Sequence, residues 1–413
     1  MRRFLLFFSV MSIPPALADG PITLAEARAR VLAANPSLAA RAAAIRAAEG
    51  AVLQARALPN PVVLLEAEDF GGGLGYDEAQ TTLSLEQTIE TGGKRGARTA
   101  AAERAREAAA LDLAARRVEL LAETARRFTA LLGAQDRLAI RREVLHVTEE
   151  LETTVRTLVA AGEVATLEIG RVTAERIVAA SEARRAAAEC ELARSALAAL
   201  WGDPVPDFDG AEGALAVPDP PPGSDEVARL VDASPALAAQ RTSVARQEAE
   251  AEARRREVRP DVALLGGVRR LSGSDDTVFV AAVGIPLPLF DRRRGAIAEA
   301  EARRDEAVST AEAERIALQA GARRARVEAL VAVEDARVLQ EELLPLARAT
   351  YESVLEGYRR GRFRWLELLA ARRDLVAVEL RSVEARLAAQ TAASDLAALM
   401  GLEPAAGGTE ESR

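Results

Sequence analysis

In Gln87-Thr88-Ile89-Glu90-Thr91-Gly92-Gly93-Lys94-Arg95-Gly96-Ala97-Arg98 the chain changes period. Upstream, Thr81-Thr82-Leu83-Ser84-Leu85-Glu86 alternates apolar and polar residues, which predicts a strand with one apolar face. Downstream runs an Ala/Glu/Arg/Leu segment without proline from Gly96 to Asp203, which predicts helix. The Gly92-Gly93 pair marks the switch from a period of two to one of about 3.6. The same switch recurs 199 residues later, where Val278 to Ile285 is followed by Pro286 to Asp291 and Arg292-Arg293-Arg294-Gly295.

That offset holds along the chain. Asn35-Pro36 answers Ser234-Pro235, Pro61 answers Pro260, Gly162 answers Gly361, and Leu200-Trp201-Gly202 answers Leu399-Met400-Gly401. Two unrelated Ala-rich helices would not keep prolines and glycines in register, so the chain is a duplication. The expected organisation is a first repeat over 19–203, a Pro-rich linker over 204–223, a second repeat over 224–402 and a disordered tail over 403–413. Each repeat opens on a short helix, capped by Thr23 with Glu26 in the first copy and by Ser224 in the second. Asn35-Pro36 and Ser234-Pro235 restart the helix as cap and first helical residue. Strands follow over about 61–70 and 80–89, then 261–270 and 277–287. Helices of over 60 residues come next, from about Arg95 to Ala160 and Arg293 to Arg359. Each would be about 95 Å long, too long for a globular domain, so a coiled coil or helical barrel is expected. Val118, Leu121, Ala125, Phe128 and Leu132 give the seam.

Composition agrees with thin helical packing: 49% of residues are hydrophobic but only 3% aromatic. Arg2-Arg3, an apolar run from Phe4 to Ile13 and Ala16-Leu17-Ala18 read as a signal peptide over 1–18, which predicts export. The formal net charge of −9 argues against nucleic acid as partner. No later stretch holds 18 continuous apolar residues, so no transmembrane helix is expected. Strands of about ten residues suit a tilted barrel strand, yet four cannot close a barrel, and open edges are not tolerated in lipid. Several copies must then combine; three would supply twelve strands. A small soluble sheet capping a coiled coil is the alternative. Lys94, Arg95, Arg98, Arg254 to Arg256, Arg259 and Arg292 to Arg294 all fall at helix–strand junctions, where a barrel would meet anionic headgroups.

The duplication, the Leu24-Ala25-Glu26 and Asn35-Pro36 opening and the Gly361 turn resemble the TolC-like outer-membrane efflux family. Gly92-Gly93-Lys94-Arg95 resembles its cobalt-zinc-cadmium efflux branch. The resemblance covers essentially all of the chain after residue 18. It implies a mainly α fold with a small β part: a homotrimer with a 12-stranded outer-membrane β-barrel continued by a periplasmic α-barrel of long antiparallel helices. It further implies a passive exit duct for divalent heavy-metal cations, joined through a periplasmic adaptor to an inner-membrane pump of RND type. In that family acidic residues just after the tip glycine narrow the pore. Glu168 and Glu367 occupy those positions here, and in a trimer would give six carboxylates around one axis, a ring that attracts cations. Ala370 stands where some members carry a second acid. Gly162, Val164, Arg360, Gly361, Arg362 and Phe363 at the tips are the candidate adaptor contacts, and Gly92, Gly93, Lys94, Arg95, Arg292, Arg293 and Arg294 the strand–helix junctions. A periplasmic coiled-coil scaffold and a type I protein-secretion duct are the other expectations.

Enzyme signals are lacking. His146 and Cys190 are the sole residues of their types, too few for a tight zinc or copper site, so no metal ligand set and no cofactor is predicted. Gly93-Lys94-Arg95 fails as a phosphate loop, because Thr88 stands where glycine is required and Arg95 replaces Ser/Thr.

Overall fold

The computed structural model describes residues 20–69 and 78–403. The expected signal peptide, the end of the first strand, the Gly71 to Gly75 join and the tail after residue 403 lie outside them. In chain order the elements are α1 (Leu24–Ala34), α2 (Pro36–Arg56), β1 (Val62–Glu68), β2 (Gln80–Ile89), α3 (Lys94–Ala160) and α4 (Leu167–Ala198). After the linker come α5 (Ser224–Asp232), α6 (Pro235–Arg256), β3 (Val262–Leu271), β4 (Asp276–Gly284), α7 (Arg294–Val338), α8 (Leu344–Arg359) and α9 (Trp365–Leu399).

The four strands form one antiparallel sheet in the order β1-β2-β3-β4, so β2 and β3 join the two halves. Register places Leu65, Leu83, Val268 and Phe279 in one row, and Val63, Leu85, Gly266 and Ala281 in the next, on one face. That face is bare: Leu65, Leu83, Leu85 and Phe279 are all exposed, Phe279 at 91%. On the opposite face Thr82 and Ser84 are covered by Arg269, whose Nε donates to Thr82 Oγ1 at 2.8 Å and whose guanidinium reaches Gln80 and Glu68. Gly267 is needed here, because a Cβ would lie 2.5 Å from the Leu83 carbonyl. β4 stops at Gly284, short of the expected Leu287, because Pro286 offers no N–H to a ladder.

α3 runs unbroken for 67 residues, about 100 Å. Its seam packs as alternating small and large residues: Leu121, Ala125, Phe128 and Leu132 are buried and Val118 half-buried. The second long helix departs from expectation. α7 and α8 are separated by a π-helical turn over Leu339–Leu343. Pro345 is the cause: it lacks the N–H of a continuous helix, and its ring would strike the carbonyl four residues back.

The core sits at the waist. Ile22, Val31, Leu120, Phe128, Leu131, Leu197, Trp201 and Phe208 form one cluster, and Val227, Val231, Leu237, Ala322, Ala329, Leu396 and Met400 a second. The linker is part of this packing rather than a free tether. Gln135 on α3 clamps the Ala211 N–H and carbonyl, at 2.7 and 3.1 Å. Arg386 and Gln390 on α9 donate to the carbonyls of Leu215 and Ala216, both at 2.8 Å, and Arg326 on α7 to that of Pro222 at 2.7 Å. Ser224 does not cap α5: Gly223 holds that position and the serine hydroxyl turns to Asp225. Cys190 packs in the first cluster, where burial raises its thiol pKa, and His146 is exposed. Among the described residues no helix is long and apolar enough to cross a membrane, and no group of three or more His, Cys, Asp or Glu could hold a metal ion.

Candidate functional site: hairpin tips and strand–helix junctions

Both hairpins end on the same backbone device. Gly162 and Gly361 have φ of 78° and 72°. The Gly162 N–H donates to the Val159 carbonyl and that of Glu163 to Leu158; the Gly361 N–H donates to Tyr358 and that of Arg362 to Gly357. Each is a Schellman motif, which satisfies the last helical carbonyls and needs a left-handed residue.

The side chains differ. At the second tip Phe363 lies over Gly357, where a Cβ would come within 2.2 Å of the ring. Tyr358 meets Trp365 edge-on at 6.4 Å. Arg360 pairs with Glu356, while Arg359 and Arg362 have no ion pair among the described residues. The first tip has the smaller, half-buried Val164 and no aromatic ring. Glu168 sits in the first turn of α4 and holds Arg171 at 3.0 Å; its other oxygen has no partner among the described residues. Glu367 is exposed and caps its own helix, its Oε2 accepting the Arg364 N–H at 2.6 Å. The structure thus gives both acids local helix-start roles, and each keeps an oxygen without a described hydrogen bond.

Further up the hairpins lie two arrangements that sequence reasoning missed. On α3, Glu152 is nearly covered and accepts from Thr173 at 2.7 Å, Arg156 at 2.6 Å and Arg176 at 2.7 Å. The Thr173 and Arg156 hydrogen bonds lower its pKa to about 2. At the matched positions of the second half, Arg372 stacks over Tyr351 with 5.4 Å to the ring centre. Arg373 and Glu175 bridge the two hairpins. The offset of 199 pairs Glu152 with Tyr351 in the sequence, but their partners lie on other helices and leave no local signal.

At the first strand–helix junction Gly92 and Gly93 have φ of 68° and 73°. A Cβ on Gly92 would lie 2.2 Å from Arg259 Cδ. Lys94 Nζ contacts Asp261 at 2.8 Å and is 13% exposed, and the Thr91 N–H donates to the same carboxylate at 3.0 Å. Arg98 grips Glu90 at 2.6 Å and donates to the carbonyls of Ala55 and Ala57, closing the end of α2. The expectation that the junction cations all face headgroups therefore needs correction. Lys94, Arg98, Arg254, Arg255, Arg256 and Arg293 hold carboxylates of this chain, because Glu90, Glu252, Glu257, Asp261 and Glu301 converge there. Arg95, Arg259, Arg292 and Arg294 have no ion pair among the described residues and are exposed.

The chain matches the outer membrane efflux protein family twice, over residues 27–203 and 228–402. It is 31% identical to the cobalt-zinc-cadmium resistance protein CzcC of Cupriavidus metallidurans, over 90% of this chain and 88% of that protein. It is 33% identical to the nickel-cobalt-cadmium resistance protein NccC of Alcaligenes xylosoxydans xylosoxydans, over 77% and 74% respectively. Among solved structures, a membrane protein from Pseudomonas aeruginosa superimposes with a TM-score of 0.78 at 21% identity, covering 92% of each chain. The open MtrE outer membrane channel of Neisseria gonorrhoeae gives 0.77 at 21% identity, covering 92% of this chain and 89% of that one.

Proposed function

Because the chain belongs to the outer membrane efflux protein family, a family of transport ducts rather than enzymes, we propose that three copies of it form the exit duct through which divalent heavy-metal cations leave the cell. The observation that carries the assembly is the open sheet. Both outer strands, β1 and β4, have an unpaired edge, and the apolar face is exposed. In lipid such edges must be paired, and three copies pairing β4 to β1 give twelve strands, an even number within the known range. The long helices of each copy then continue the barrel into the periplasm.

The cargo reading is supported by the metal-resistance relatives and by the chain's acidic balance. Glu168 and Glu367 are the gate carboxylates in this reading, six per trimer, drawing cations to the axis. Arg359, Arg362 and Phe363 at the second tip, with Gly162, Val164, Arg360 and Gly361, meet a periplasmic adaptor that joins the duct to an RND-type inner-membrane pump. Nothing in this chain couples an energy source, so the pump supplies it.

The test is tolerance in a strain deleted for the gene, with and without a plasmid copy. Restored growth on zinc, cobalt, cadmium or nickel, with no change toward hydrophobic antibiotics, is the expected result. Restored tolerance to antibiotics alone would sink the metal reading and leave the duct. Glu168→Gln combined with Glu367→Gln should lower metal tolerance at unchanged outer-membrane abundance.

A further inference from the structure

The second strand–helix junction carries a surface that conduction does not use. Ile285, Leu287, Leu289 and Phe290 are all exposed, Phe290 at 99%. Ile285 continues the parity of Phe279, Ala281 and Val283, so this ledge prolongs the bare apolar face of the sheet toward the helices. Arg292-Arg293-Arg294 follows at once. Arg293 is tied to Glu257 at 2.6 Å, whereas Arg292 and Arg294 make no ion pair or side-chain hydrogen bond among the described residues. At the matching positions the first junction has Thr88, Glu90 and Thr91, with Glu90 and Thr91 bonded inside the chain. The apolar ledge beside unsatisfied cations is a property of one junction, not of the fold.

An apolar foot with two uncommitted guanidiniums at the periplasmic edge of a barrel matches one kind of partner, an amphiphile with an anionic head. We propose that Leu287, Leu289 and Phe290 enter the acyl boundary of the inner leaflet and that Arg292 and Arg294 hold the phosphate of an anionic glycerophospholipid there. Guanidinium suits this role, since its planar fork pairs with phosphate oxygens two at a time. The inference rests on the outer-membrane placement of the sheet and is independent of the cargo.

The experiment uses the full chain in neutral detergent, with phosphatidylglycerol or phosphatidylcholine added at equal concentration and bound lipid counted by native mass spectrometry. Wild type should retain phosphatidylglycerol preferentially. Arg292→Gln with Arg294→Gln should lower that retention by roughly fivefold per arginine and leave phosphatidylcholine unchanged. Arg292→Lys with Arg294→Lys should keep most of it, and Arg324→Gln, an exposed charge far along α7, should do nothing. Equal retention of the two lipids by wild type, or an unchanged preference in the double glutamine variant, would overturn the proposal. If that variant does not fold, a salt titration of wild type decides: salt must weaken phosphatidylglycerol retention and spare phosphatidylcholine. Phe290→Ala should lower retention of both lipids. If it instead releases single chains with the lipid preference intact, the ledge is a contact between copies and the proposal falls.

Discussion

At the first junction Glu90, Thr91 and Lys94 all turn inward, to Arg98 and Asp261; at the matched positions of the second junction Leu289 and Phe290 face outward and Arg293 alone is tied down. The hairpins show the same divergence. Glu152 is locked by Thr173, Arg156 and Arg176, while its counterpart Tyr351 offers only a ring face to Arg372. A duplicated backbone has kept its turns and let its side chains part. The first half holds the molecule together by buried polar contacts, and the second presents rings and free cations to its surroundings.

The sharpest way to break this contrast is at Gly92. Gly92→Ala should cost about 2–4 kcal/mol, from a left-handed φ and from overlap with Arg259. Asp291→Ala at the matched position loses one hydrogen bond to the Arg293 N–H, about 1 kcal/mol. Thermal unfolding in detergent reads both, and equal losses would refute the asymmetry. Lys94→Met strands the Asp261 carboxylate and should cost about 2–3 kcal/mol, against under about 1 kcal/mol for Arg293→Met, whose pair with Glu257 is well exposed.

Acid sharpens the hairpin comparison. The folded Glu152 carboxyl, at about 2, lies below the ordinary value of 4.5, so its contribution to stability is whole above about 4.5 and is lost as pH falls toward 2. Glu152→Gln should flatten that part of the stability–pH curve, and an unchanged curve would remove Glu152 from the account. The smallest effect is expected for Tyr351→Leu, which forfeits the Arg372 stack for about 0.5–1 kcal/mol in the same unfolding measurement.

Local devices were open to reading from sequence. Gly92-Gly93, Gly162 and Gly361 stand where the backbone takes positive φ, and Thr81 to Glu86 shows its two faces in the alternation of Leu83 and Leu85 with Thr82 and Ser84. Contacts across long separations were not. Lys94 and Asp261 are 167 residues apart, and nothing near Lys94 announces that its charge is already matched. The linker shows why composition misleads: six prolines forbid regular structure, yet Gln135, Arg386, Gln390 and Arg326 bind its carbonyls from three helices. For the tips, the glycines and the acids were visible, but the helix-capping bond of Glu367 and the berth that Gly357 makes for Phe363 depend on the fold.

The π turn at Leu339–Leu343 has a consequence for symmetry. One extra residue in a turn advances the helix by about 100° and shortens its run by about 1.5 Å. α3 has no such turn, so the two hairpins of one chain reach the tip out of phase although their sequences stay in step. A trimer built from them would end in three hairpins of each kind, alternating, with true threefold and only approximate sixfold order. Any ring of identical arms closing over that end would find two unlike seats in every subunit.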